Sequence, residues 1–207
     1  MNALSFGALC FSSLFTVIDP FAVAPVFTTV TQGRNRAETR RIAIRACIAA
    51  LGVLVVFALF GAFVFKIFGI TLDAFRIGGG IVFLLIGLPM LSSGHDAKEV
   101  TTTPSDPSVV PLGVPLIGGP GAITTVMLLM GQSTSKLHTT ALFGALAIAM
   151  LATFGILLVA PRLISRLGKG GTELITKVMG LIIVVIGVQF VIDGLKPIAI
   201  EILQSAR

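Results

Sequence analysis

Six long apolar runs divide this chain, at 4–31, 39–68, 74–92, 111–130, 138–167 and 174–195, each separated from the next by short clusters of charge or of Pro, Gly and Ser. A run of about 20 apolar residues is what a helix needs to cross the hydrocarbon core of a bilayer. The rest of the composition agrees. Hydrophobic residues are 55% of the 207, charged residues only 12%, and mean hydropathy is +1.04, so there are too few polar side chains to cover a water-facing surface of this size. A soluble enzyme is excluded. The expected fold is an all-α integral membrane protein with six transmembrane helices, its partner the lipid bilayer.

The net charge of +6 does not indicate nucleic acid, because the fifteen Lys and Arg sit in short clusters between the apolar runs or near their ends, as the positive-inside rule predicts for loops on the cytoplasmic face. Ten of them, Arg34, Arg36, Arg40, Arg41, Arg45, Lys98, Arg162, Arg166, Lys169 and Lys177, follow the first, third and fifth runs. Five, Lys66, Arg76, Lys136, Lys196 and Arg207, fall on the other side. Both termini are therefore expected outside. No basic residue precedes the first run and no cleavage pattern follows it, so it is expected to stay in the mature protein rather than act as a signal. Cys10 and Cys47 lie within apolar runs and read as small buried hydrophobes, not as a disulfide or metal site. Residues 93–110, SGHDAKEVTTTPSDPSVV, read as a polar, proline-containing loop, with His95 in it. The expected organisation is a first three-helix repeat at 1–95, a polar connection at 96–110 and a second three-helix repeat at 111–207.

Adding 100 to the residue number lays one half over the other without a gap. Pro20, Ala22, Val26, Gln32, Thr39, Ile48, Ala49, Leu51, Gly80, Ile86, Gly87 and Gly94 meet the same residue types at 120, 122, 126, 132, 139, 148, 149, 151, 180, 186, 187 and 194. Three spans per repeat is an odd number, so the second copy would stand upside down. Inverted repeats are a recurrent plan of secondary transporters, with the site where two broken helices meet near the midplane.

Asp19 falls about halfway along the first run, where a charge costs about 3 kcal/mol on insertion scales. Pro20 obstructs a helix passing through it and suits the first turn of a new one, with Asp19 as its cap. Pro25 then removes the donor that the carbonyl of Phe21 would have used, and freed backbone groups in a membrane are tolerated only when something else satisfies them. The fourth run repeats the device as Gly118, Gly119, Pro120 and Gly121, with a new helix expected near Ala122. Helix starts at mid-membrane offer N–H groups to an anion, Asp19 would meet a cation, and Thr124 and Thr125 add hydroxyls, so these groups together suit a zwitterion. Gln189, deep in the sixth run, is a further candidate to line the site. The glycines at 78–80, 180 and 187 read as small residues for close helix packing. No nucleotide loop, HExxH motif or serine elbow is present, so neither enzyme chemistry, nor a cofactor, nor a catalytic metal is expected.

The segments DPFAVAPVF (19–27), GGPGAITTV (118–126) and VMGLIIVVIGVQFVIDGL (178–195) resemble the MarC family of bacterial and archaeal inner-membrane proteins. The resemblance implies six spans, an inner-membrane location and kinship with a transporter of small neutral amino acids such as glycine and alanine. The family's old association with antibiotic resistance does not establish function. Its first motif usually reads D-P-x-G-N-x-P-x-F, whereas this chain has Ala22 and Val23 at the Gly and Asn positions. The positions that match are Asp19, Pro20, Pro25 and Phe27, then Gly119, Pro120, Gly121, Ile123 and Thr125, then Met179, Gly180, Leu181, Gln189 and Gly194. Two readings follow. One is a secondary transporter of a small neutral amino acid coupled to H+ or Na+, as a monomer or an oligomer; the other is a membrane scaffold or accessory protein in which the breaks are only packing devices.

Overall fold

A computed structural model of the chain describes residues 2–91, 108–166 and 168–205, which contain the helices α1 (Ala3–Ile18), α2 (Pro20–Val30), α3 (Arg36–Phe68), α4 (Leu72–Leu91), a π-helix (Ser108–Ile117), α5 (Pro120–Gly131), α6 (Lys136–Ser165) and α7 (Gly168–Ser205). The regular structure of the described residues is all helical, and many large apolar side chains face outward. Among the described residues four helices are long and apolar enough to cross a membrane, and α1 with α2, bent by 41° at Asp19, makes a fifth candidate. The run at 111–130 is not one helix, since Ser108–Ile117 and Pro120–Gly131 meet at a break and neither spans alone. The sixth run lies in a much longer helix. α7 has 38 residues, about 57 Å at 1.5 Å per residue.

Local chemistry explains the boundaries. Asn35 and Glu38 close a reciprocal capping box at the start of α3, with Glu38 N–H to Asn35 Oδ1 at 2.9 Å, and Gly69 ends that helix at φ 61°. In the π-helix Pro111 and Pro115 bring no N–H, and Gly118 N–H reaches five residues back to the Gly113 carbonyl at 2.9 Å. The polar stretch expected at 93–110 therefore ends earlier, because residues 108–110 are already helical. His95, Lys98 and Gly94 lie outside the described residues.

Packing joins the first half of the chain to the second. α1 and α2 lie against α6, while the π-helix and α5 lie against α3. α3 and α5 run parallel, as Ala50 touches Gly118 and Met127 touches Gly61. α1 and α6 also run parallel, with Phe6 stacked on His138 at 4.7 Å and Gly7 beside Ala141. α4 and α7 form the most extensive pairing and are antiparallel. Their backbones touch at seven-residue steps: 73 with 194, 80 with 187, 87 with 180. A Cβ added to Gly80 would lie 2.5 Å from the Gly187 carbonyl oxygen, one on Gly187 2.8 Å from that of Gly80, and one on Gly87 2.9 Å from that of Gly180. Of the glycines read as packing residues, Gly80, Gly180 and Gly187 form the seam of this pair together with Gly87, whereas Gly79 meets the Pro120 ring and Gly78 has nothing within 4 Å of an added Cβ. The core gathers along α1, α2, α3, α5 and α6, with Leu14, Ile18, Phe27, Leu54, Val126 and Leu146 nearly or wholly buried.

Candidate functional site, two helix breaks that meet

The first break turns on one residue. Asp19 ends α1 and begins α2, with φ 42° and ψ 71° in the left-handed region that Asp tolerates better than most L-residues. Its own N–H donates to the Phe15 carbonyl at 3.1 Å, and its Oδ1 accepts the Ala22 N–H at 3.2 Å. One carboxylate therefore satisfies a helix start while keeping acceptor capacity for more. Pro20 stands at the first position of α2. Asp19 is half-buried, Pro20 and Pro25 are buried, and Phe21 is 63% exposed. Pro25 sits inside α2, and the hydroxyls of Thr28 and Thr29 donate back to the carbonyls of Ala24 and Pro25, at 2.8 and 3.0 Å.

The second break is closed and uncapped. α5 starts at Pro120, two residues before the expected Ala122, because Pro is itself fitted to a first turn. Its cap is Gly119, which has no side chain to accept a hydrogen bond, so the N–H groups of Gly121 and Ala122 receive no side-chain cap. Residues 118–123 are all buried. Thr124 spends its hydroxyl on the Gly121 carbonyl at 3.0 Å, while Thr125 is half-buried one turn beyond Gly121.

The two breaks adjoin. Val17, near the end of α1, lies against Gly121, so that a Cβ there would be 2.9 Å from Val17 Cγ1. α2 in turn packs on the π-helix. Around the second break stand Gly79, read from the sequence as a packing glycine and here against the Pro120 ring, and two residues that the sequence pattern did not single out, Phe83 and Phe190. In an apolar run a Phe carries no signal that separates a site residue from a lipid-facing one. Gln189 is placed differently from the two breaks' buried residues. It is exposed on α7, where its Nε2 donates to Asp193 Oδ1 at 2.8 Å. Among the described residues no group of three or more His, Cys, Asp and Glu side chains could hold a metal ion. Cys10 and Cys47 are free and buried.

Such an arrangement places an acid and two helix starts inside a membrane protein. Comparison with known proteins bears on the family. A family model described as "MarC family integral membrane protein" matches residues 4–199. A UPF0056 membrane protein of Methanocaldococcus jannaschii is 36% identical over 199 residues, covering 93% of this chain and 97% of that one. UPF0056 membrane protein YvbG of Bacillus subtilis is 36% identical over 200 residues, covering 93% and 95%, and YhcE of Escherichia coli is 31% identical over 195, covering 91% of each. No solved structure matches. With the match running through both breaks and nearly the whole length, this chain belongs to the MarC family of integral membrane proteins.

Proposed function

We propose that the chain is a secondary transporter of small neutral amino acids, of the glycine or alanine type, coupled to H+ or Na+ and built as two inverted three-helix repeats in a bacterial inner membrane. The observation that carries the reading is the meeting of the two breaks, with Val17 of α1 against Gly121 of α5 and Asp19 between α1 and α2. In it the substrate ammonium or the coupling cation goes to Asp19, and the substrate carboxylate to the N–H groups that start α5. The contacts support the repeat in a way that composition does not. α1 on α6 has its counterpart in the π-helix on α3, α2 on α6 in α5 on α3, and the 80/187 contact maps onto 180/87 when the halves are exchanged. The parallel pairs α3/α5 and α1/α6 and the antiparallel pair α4/α7 are the directions that six alternating crossings require. A scaffold needs none of this, and leaves the charge of Asp19 unexplained.

Uptake of labelled glycine and alanine into proteoliposomes, with and without imposed proton and Na+ gradients, tests the proposal. Gradient-dependent accumulation is expected. Equal counts in protein-containing and empty vesicles under every gradient would remove the transport reading and leave the scaffold.

A further inference from the structure

We propose that the start of α3 is a binding site for an anionic phospholipid, with Arg40 and Arg41 at the headgroup phosphate and an acyl chain lying along Ile44, Ile48, Gly52 and Val56. Five arginines, Arg34, Arg36, Arg40, Arg41 and Arg45, fall within twelve residues, and all are exposed. Between Asp19 and Asp73 the one acid is Glu38, whose carboxylate accepts the Asn35 N–H at 3.3 Å in the capping box. Arg34, Arg36, Arg40 and Arg41 form no ion pair among the described residues. Like charges held this close repel one another, and Arg36 stands in the first turn of α3, where the helix end is itself positive. An anion seated among them relieves both.

The apolar surface that follows the arginines makes that anion a lipid. Arg41, Ile44, Ile48, Gly52 and Val56 succeed one another at steps of three and four, so they share one face of α3. The opposite face, with Ile42, Ala43, Ala46, Cys47 and Ala50, is the buried one. On the outer face Ile44 is 36%, Ile48 63% and Val56 48% exposed, and nothing lies within 4 Å of a Cβ added to Gly52. In a helix that crosses a bilayer such a face meets acyl chains, and Arg41 stands at its end with Arg40 beside it, at the level of a headgroup. A guanidinium fork matches a phosphate with two hydrogen bonds. Free phosphate would use only the charges, whereas a phospholipid uses the charges and the stripe together. The far end of α3 offers a single cation, Lys66. The inference goes beyond transport and rests on neither the transport reading nor the direction of insertion.

The chain has no Trp and no Tyr, so one introduced Trp reports its own surroundings without background. The full-length Ile48→Trp protein is placed in bilayers of phosphatidylcholine and phosphatidylglycerol, mixed in both leaflets, with one or the other lipid brominated in its chains. Bromine quenches Trp on contact, so quenching against composition gives the ratio of the two lipids' binding constants at this face. A preference for phosphatidylglycerol on the order of tenfold is expected, falling to near one when Arg40→Gln and Arg41→Gln are added. The Phe60→Trp protein, with its reporter about 18 Å further along α3, should give a ratio near one in both backgrounds. Ile44→Trp serves as the reporter if Ile48→Trp does not fold. A ratio near one in the folded reporter, a preference that survives loss of both arginines, or an equal preference in the Phe60→Trp protein overturns the lipid site. A preference abolished by inorganic phosphate, but not by chloride at equal ionic strength, makes the patch a small-anion site and overturns it as well.

Discussion

At Asp19 one side chain answers two separate demands, a backbone turn and a charge, and substitutions can pull them apart. The left-handed conformation at φ 42° costs a typical L-residue about 1–2 kcal/mol, and a lost N-cap costs about 1 kcal/mol more. Asn tolerates the conformation and caps as well as Asp, and Gly accepts the conformation while losing only a few tenths of a kcal/mol of capping. Asp19→Asn and Asp19→Gly should therefore unfold in detergent close to the wild type, whereas Asp19→Val should lose about 2–3 kcal/mol. Transport sorts them otherwise. Asp19→Asn deletes only the charge, so it should abolish ion-coupled uptake while keeping the wild-type melting temperature; uptake at the wild-type rate with unchanged ion dependence would reduce Asp19 to a cap. The cap was legible in the sequence, because Asp before Pro at a helix start has a backbone rule behind it. That Thr124 turns its hydroxyl to the Gly121 carbonyl was not, since either rotamer fits the same sequence.

Pairs of elements are held here by what is missing from them. α4 and α7 approach so closely that their carbonyls occupy the space of each other's Cβ atoms, and the seven-residue step keeps that contact on one face along both helices. Gly80→Ala and Gly187→Ala should each destabilise by about 1–3 kcal/mol, the usual cost of forcing extra volume into a packed contact. Gly52→Ala, in α3 with nothing within 4 Å of its added Cβ, should be neutral or stabilise by up to about 1 kcal/mol. Thermal unfolding of the three variants in one detergent checks this, and a Gly187→Ala melt no lower than that of Gly52→Ala would refute the seam. Both helix breaks could be read from Pro and Gly placement, because those residues act on the backbone whatever surrounds them. The π-helix could not. Pro111 and Pro115 announce irregularity, but only the Gly118 to Gly113 hydrogen bond shows which irregular helix forms.

For the whole molecule, the direction of each span follows from contacts, and the direction of the assembly in the bilayer follows from charge. Ala50 beside Gly118 and Gly61 beside Met127 make α5 run with α3, Phe6 against His138 makes α6 run with α1, and the glycine seam makes α7 oppose α4. The six crossings proposed above would satisfy all three relations and return both termini to one side. In that arrangement the opposite side would carry Arg34, Arg36, Arg40, Arg41 and Arg45, all exposed near the start of α3, with Arg162 and Arg166 exposed at the end of α6. Lysine and arginine near the ends of spans are held on the cytoplasmic face. The termini should accordingly be periplasmic: a C-terminal alkaline phosphatase fusion should be active and a C-terminal green fluorescent fusion dark. Replacing Arg34, Arg36, Arg40 and Arg41 by Gln takes four charges from the ten and leaves six against five, so it should produce a mixed population in which both reporters give signal. A wild-type fusion that fluoresces and lacks phosphatase activity would invert the assignment, and would turn each helix break toward the face opposite to the one charge assigns it.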